Sequence, residues 1–369
     1  MAERTLSAIV LAAGEGTRMR SSRPKPLHRL AGRTMLQYML DALVDCSTEQ
    51  VVVVVGHGAE RVTKKLQAAE PDLHLTFVEQ DRQLGTGDAA SVGLTGLPDD
   101  DGPDADDHDV LVLPGDMPLL RPSSIAEMVR VHREVGAACT VLTAVVDEPG
   151  SLGRIVRGKD DQVVKIVEAA DASDEEREIR EINTAVYCFR RSLLAPALRR
   201  ITPDNAQGEY YLTDVVGVLR EAGYRVAAVQ VADAAEGEGI NDRVQLAAAE
   251  AELRRRTNER WLRAGVTLVD PATTYLDTTV QLASDVTIFP GTILQGDTVV
   301  GAGAEIGPHT RLVDCIVGAG AVVEQSNGRD AEIGAGATVG PFAALAPGAS
   351  IPDGTVTGPF YAASGPDES

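Results

Sequence analysis

The chain has 369 residues, 44% of them hydrophobic and 24% charged, values that exclude wholesale disorder and a fibrous repeat. Its length exceeds what one hydrophobic core usually organises, so two domains are expected. Thirty-four Lys and Arg against 55 Asp and Glu leave a net charge of −21, which argues against nucleic acid and anionic membrane as partners.

The first strand candidate, "SAIVLAAG", runs into "GEGTRMRSSRPKPL", two glycines and a set of cations. Gly14 and Gly16 let backbone N–H groups approach a phosphate, and a following helix would add its positive end. The pattern is neither the G-K-[ST] loop nor G-x-G-x-x-G, and alone it also fits a plain strand-to-helix turn. Arg18 and Lys25 are placed to meet charge on a transferring phosphoryl group, with Lys25 confined between Pro24 and Pro26. Arg20 and Arg23 read as surface residues.

A helix is expected over 34–46, then the strand "VVVVVGHG", apolar on both faces as a strand buried between helix layers must be. A helix over 59–69 and the strand "LTFVEQ" follow, and Gly85-Thr86-Gly87 opens a helix placed at 89–94. Gln80, at that strand's end, can read a base edge through its amide, with Gly85 and Thr86 packed beside it. The strand "DVLVLPGD" ends at Asp116, a carboxylate suited to Mg²⁺ shared with substrate phosphates, or else an ordinary turn aspartate. A helix over 122–135, the strand "CTVLTAVV", a helix over 212–221 and the strand "RVAAVQV" complete an α/β, Rossmann-like domain with a mixed, mostly parallel sheet, residues 1–232. Ligands in such sheets lie beyond the strands' carboxyl ends. The acidic runs 99–109 and 171–181 read as solvated surface.

Residues 233–265 form a linker with one long helix that Gly265 stops; before it, Asn241 in "GIND" is either the N-cap or a second oxygen ligand to a metal. Beyond it Leu282, Ile288, Leu294, Val300, Ile306 and Leu312 are six apart, and Ile333, Val339, Leu345 and Ile351 resume the step. That period marks a short left-handed parallel β-helix over 266–358, roughly four coils, with 359–369 as tail. Residues 324–330 break the phase and are expected to loop out. Prisms of this kind assemble as trimers, so a homotrimer through the β-helix is expected.

Cys46, Cys139, Cys188 and Cys315 lie far apart without C-x-x-C, as in a reduced cytoplasmic protein, and His28, His57 and His309 lack metal-ligand spacing. No apolar run approaches the ~20 residues of a membrane span and no leader pattern is visible.

The ordered set "LAAGEGTRM…KPL", "QLGTGDA", "LPGDMPLL", "GRIVR", "IVEAADA", "EINTAVY", "NAQGEYYLTD" and "GIND", followed by hexapeptides, resembles the bacterial N-acetylglucosamine-1-phosphate uridylyltransferases over about residues 5–358. The resemblance implies UTP and N-acetylglucosamine 1-phosphate as substrates, and UDP-N-acetylglucosamine for cell-wall synthesis and pyrophosphate as products. It implies that Leu11, Ala12, Ala13, Gly14 and Gln80 hold the uracil with Gly85 and Thr86 beside it, and that Arg18 and Lys25 face the phosphates. It further implies that Asp116 and Asn241 hold Mg²⁺ and that Gly153, Glu168 and Asn183 hold the sugar, with Gly115 nearby. Three positions depart from the pattern: Leu152 replaces a Tyr, Asp88 a His, and Tyr187 an aliphatic. Ala344 and Ala346 replace two arginines, and the chain stops before the coils that carry acetyl transfer in bifunctional relatives, so that activity is expected to be absent.

Overall fold

The computed structural model describes residues 4–56, 58–69, 74–98, 108–159 and 161–365. His57, most of the first acidic run and the last four tail residues lie outside them. The chain divides into two compact units, Met1–His28 with Thr34–Gln245, and Arg29–Arg33 with Leu246–Ser369.

In chain order the elements begin with β1 (Thr5–Ala12), the paired β2 (Arg29–Leu30) and β3 (Arg33–Thr34), α1 (Met35–Val44), β4 (Gln50–Val55) and α2 (Ala59–Ala69). Then come β5 (Leu75–Glu79), α3 (Thr86–Leu94), β6 (His108–Pro114), α4 (Pro122–Glu134), β7 (Cys139–Val145), β8 (Arg154–Arg157), β9 (Val163–Val167) and α5 (Asp174–Arg177). The first unit closes with β10 (Glu181–Arg190), α6 (Arg191–Leu198), α7 (Asp214–Glu221) and β11 (Val226–Gln230), and α8 (Arg243–Arg263) follows.

The main sheet runs β11-β7-β10-β6-β1-β4-β5, parallel except for β10, which lies antiparallel to β6 and β7. Successive strand residues face opposite layers, so Ile9 and Val52 enter one core while Val10 and Val53 enter the other. Val51 to Val55 are at most 3% exposed, and each valine buried this way contributes about 1.5–3 kcal/mol. α1 starts where expected because Thr34 and Gln37 form a reciprocal cap, the Thr34 hydroxyl accepting from the Gln37 N–H at 3.3 Å. α3 starts at Thr86, three residues before the expected Ala89, because its first turn is built from small and polar residues that carry no apolar period. α7 starts at Asp214, two residues later than expected. The second acidic run is a short, mostly exposed stretch around α5, capped by Ser173 and Glu176.

No α-helix follows the glycine loop. Thr17–Met19 is a single 3-10 turn with Gly16 and Arg20 at φ 63° and 48° on either side, and Pro24 and Pro26 lack the N–H groups needed to extend a helix. The expected helix end pointing at a phosphate is therefore absent; a second 3-10 turn, Lys25–Leu27, follows, and α1 is the next α-helix.

The second unit is the left-handed parallel β-helix foreseen from the six-residue period. Its three faces carry five, six and five short strands, more than the roughly four coils expected. The ladder residues from Leu282 to Ile351 are all buried. Residues 324–330 do not loop out: Asn327–Arg329 is a strand, paired with Arg311–Val313 on one side and Ala344–Leu345 on the other. Gly328 takes the inward position there, and a Cβ on it would lie 3.1 Å from Leu312 Cδ2, so the neighbouring leucine already fills that space. Ala362–Ala363 adds a sixth strand to the same face. At the corners buried hydroxyls bond the backbone of the same or the next coil; Thr292 Oγ1 donates to the Phe289 carbonyl at 2.7 Å. Among the described residues no helix is long and apolar enough to cross a membrane. All four cysteines are free, and Cys139, Cys188 and Cys315 are buried.

Candidate active site

β1 is the point at which the strand order reverses, β4 and β5 lying to one side and β6 to the other. Loops leaving such a point diverge and open a crevice. Register aligns Leu11 with Val54 and with Pro114, so the loops after β1, β5 and β6 emerge side by side. Two bonds knit them: the Gly115 N–H donates to the Leu11 carbonyl at 2.9 Å and the Gln80 N–H to the Val55 carbonyl at 2.8 Å. Between them lies a cleft of about 320 Å³, with Leu11 to Gly14, Lys25, Gln80, Gly85, Thr86, Gly115, Asp116, Glu168 and Asn183 on its walls.

At one end sits Lys25. Its ammonium donates to the Asp116 carboxylate and, at 2.8 Å, to Asn241 Oδ1. Gly16 makes room for it, since a Cβ there would lie 2.6 Å from Lys25 Cβ. Asn241 does not cap α8: Asp242 does, its Oδ1 accepting from the Val244 and Gln245 N–H groups at 2.9 Å each. The Asn241 side-chain oxygen is thereby left to the Lys25 ammonium that Asp116 shares. The Asp116 carbonyl accepts from the Ile240 N–H at 2.9 Å, which ties the two segments together. One carboxylate and one amide oxygen thus converge where a cation already stands, and this donor set fits a hard divalent ion that takes its remaining ligands from water and phosphate. Among the described residues no group of three or more His, Cys, Asp or Glu could cage a metal.

Arg18 is exposed and lies outside the cleft lining. Gly16 also stands outside the lining and acts through Lys25.

On a second wall Gln80 is only 6% exposed, its Nε2 donating to Asp88 at 2.7 Å. Gly85 adopts φ 111° and packs so closely that a Cβ would lie 2.5 Å from the Tyr210 carbonyl. The "NAQGEYYLTD" segment is strapped across this turn: the Gly87 N–H donates to the Tyr210 carbonyl at 2.8 Å and the Leu212 N–H to Thr86 Oγ1 at 3.0 Å. Asn205 shapes the segment from within, its Nδ2 donating to the Glu209 carbonyl at 2.6 Å.

The far end holds Glu168 and Asn183. A bulge in β10 between Asn183 and Tyr187, with Ala185 at φ 61°, breaks the ladder beside Asn183. Asn183 Nδ2 donates to the buried Tyr187 hydroxyl at 2.7 Å and its Oδ1 accepts from the Ala185 N–H at 3.0 Å. Gly153 lies against both, its carbonyl accepting from the Asn183 N–H at 2.9 Å and a Cβ there lying 3.5 Å from Glu168 Oε2. Burial pushes the Glu168 carboxyl above its ordinary range; the 3.1 Å bond from Thr213 Oγ1 opposes this, and the charges of Asp214 and Asp171 add to it. Three participants escaped sequence reasoning. Thr213 and Gln83 lie in "NAQGEYYLTD" and "QLGTGDA" with no role of their own read from the sequence, and Tyr187 is read only as a departure; Gln83 Nε2 donates to the Ala13 carbonyl at 2.7 Å.

The sequence is matched by known proteins. Residues 8–221 match the model of the MobA-like NTP transferase domain, which defines the first unit as a nucleotidyltransferase. The chain is 44% identical to the bifunctional protein GlmU of Heliobacterium modesticaldum over 96% of this chain and 75% of the relative. It is 48% identical to that of Pseudarthrobacter chlorophenolicus, over 96% and 71%, and 49% identical to that of Rhodococcus jostii, over 93% and 68%. The chain therefore belongs to the GlmU family of sugar-phosphate uridylyltransferases.

Proposed function

We propose that the chain joins UTP to N-acetylglucosamine 1-phosphate, releasing UDP-N-acetylglucosamine, a cell-wall precursor, and pyrophosphate. The observation that carries this reading is the convergence of Lys25, Asp116 and Asn241 at one end of a cleft whose other walls present a buried amide, Gln80, and the pair Glu168 and Asn183. A phosphate oxygen of the sugar phosphate attacks the α-phosphorus of UTP, and the bond to the bridging oxygen of the departing pyrophosphate breaks. The nucleophile is already an anion, so the chain needs no general base; it must align two polyanions and neutralise them. Lys25 supplies positive charge directly, while Glu168 and Asn183 grip the sugar and Gln80 the base. Asp116 and Asn241 would hold magnesium, which when bound adds charge neutralisation at the phosphates. We read Arg18 as a contact for the outgoing pyrophosphate, the β-helix as a trimer contact, and acetyl transfer as absent because Ala344 and Ala346 offer no cation to a second sugar phosphate.

The test is pyrophosphate release by the full chain across a matrix of nucleoside triphosphates and sugar 1-phosphates, with and without Mg²⁺. UTP with N-acetylglucosamine 1-phosphate and Mg²⁺ is expected to give the highest kcat/KM. A better pair, or undiminished turnover without Mg²⁺, defeats the substrate or the metal assignment respectively. Release of CoA from acetyl-CoA and glucosamine 1-phosphate is expected to stay at background.

A further inference from the structure

An unassigned residue, Asp88, lies against the side chain read as the base contact. A glutamine amide has two ends of nearly equal shape, one a donor and one an acceptor, and its neighbours decide which end faces a ligand. Gln80 Nε2 lies 2.7 Å from Asp88 Oδ2 and 3.4 Å from the Gly85 carbonyl oxygen. Both neighbours are acceptors only, so the end that faces them is the NH₂ group. Turning the amide over would set its carbonyl oxygen against a carboxylate in a site where Gln80 is 6% exposed and water cannot easily compensate. Asp88 itself sits in the first turn of α3, where the helix end favours its charge. The amide atom left for the cleft is the acceptor, Oε1.

That atom discriminates between pyrimidines. Uracil carries a ring N3–H, a donor that meets Oε1; cytosine carries a bare N3 and an amino group, and its N3 lone pair would oppose Oε1. We propose that Asp88 is a positioning residue for base selection, which holds Gln80 so that the cleft accepts a pyrimidine with a ring N–H donor and rejects cytosine. The proposal rests on the reading of Gln80 as the base contact of a uridylyltransferase. A carboxylate accepts in every case and leaves the amide no choice, whereas a side chain that can either donate or accept would not fix it.

The experiment compares the full chain with Asp88→Ala, Asp88→Asn and Asp88→Glu. The readout is the ratio of kcat/KM for UTP to that for CTP, with N-acetylglucosamine 1-phosphate as co-substrate. Alanine removes the acceptor and asparagine replaces it with an amide that can present either a donor or an acceptor to Gln80, so both variants are expected to lower that ratio, by about tenfold in the alanine variant. The loss should come mainly through a higher KM for UTP, with the KM for the sugar phosphate unchanged and the ratio largely restored by glutamate. An unchanged ratio, with UTP and CTP falling together, means that Asp88 only supports α3 and overturns the proposal. Calorimetric binding of UTP and CTP to the same variants measures the ratio without turnover. A chain that binds UTP over CTP through Asp88 but releases no pyrophosphate would refute the reaction and leave the base assignment standing. If the alanine variant fails to fold, the isosteric asparagine variant carries the test.

Discussion

Two adjacent residues, Asn241 and Asp242, have separable jobs, one accepting from the Lys25 ammonium that also bonds Asp116 and the other capping α8. Replacing Asp116 or Asn241 by alanine is expected to lower kcat/KM about a hundredfold or more with the fold intact, since each change removes one oxygen from the charge-neutralising cluster. Asp242→Ala should cost ~1 kcal/mol of stability and leave kcat within a few-fold, a contrast that denaturation and initial rates together expose. Glu168 gives a pH prediction. Because burial holds its folded carboxyl above the ordinary value of 4.5, its ionisation opposes folding: the protonated form's stabilisation is complete below 4.5 and is lost as pH rises through the folded value. Glu168→Gln is therefore expected to raise the unfolding midpoint at pH 7, with the gain shrinking toward zero below pH 4.5, while it raises the KM for the sugar phosphate. Thr213→Val removes the bond that favours the carboxylate, so the acid-side loss of sugar-phosphate binding should move to higher pH. An acid limb that does not move in that variant contradicts the role given to Thr213.

At the scale of elements, legibility followed how far a feature depends on local pattern. Strands β1, β4 to β7 and β11 and the buried hexapeptide ladder were readable because burial on two faces or on one imprints a period on the sequence, whereas the two-residue β2 and β3 are too short to carry one. The phase break at 324–330 misled for a physical reason. The steps from Leu312 to Val317 and from Val323 through Gly328 to Ile333 are each one residue short, and the coil absorbs this at its corners, where Asp314, Gln325 and Asp330 take φ 53°, 45° and 46°. Aspartate tolerates that left-handed conformation better than most residues, so the ladder stays in register. Gly328→Leu is accordingly expected to destabilise the β-helix by about 1–3 kcal/mol through overpacking, and Leu345→Ala by about 2–5 kcal/mol through a cavity, both read from chemical denaturation. Neutral behaviour of Gly328→Leu contradicts the inward placement of that residue. The bulge beside Asn183 was not legible, because nothing in "EINTAVY" distinguishes a bulged strand from a straight one.

The whole molecule joins a nucleotidyltransferase sheet with its two core layers to a prism with a core of its own. Leu345→Ala should for that reason lower only the thermal transition of the β-helix and leave the uridylyl-transfer rate per folded chain unchanged. The strand order, and with it the crevice at the end of β1, was legible as a class, since alternating strands and helices admit few arrangements. What brings Lys25 to Asn241, 216 positions away in sequence, or Gln80 to Asp88, is side-chain geometry that no spacing rule encodes. The net charge of −21 also sharpens the role of the cleft: with the surface acidic overall, a polyanionic substrate needs the few cations gathered after β1. The most direct test of this account is to incubate the full chain with UTP, N-acetylglucosamine 1-phosphate and Mg²⁺ and to quantify UDP-N-acetylglucosamine and pyrophosphate together. Equal amounts of the two, both lost in Lys25→Met, are the predicted result; pyrophosphate without the sugar nucleotide, or a Lys25→Met variant as fast as the parent, would contradict it.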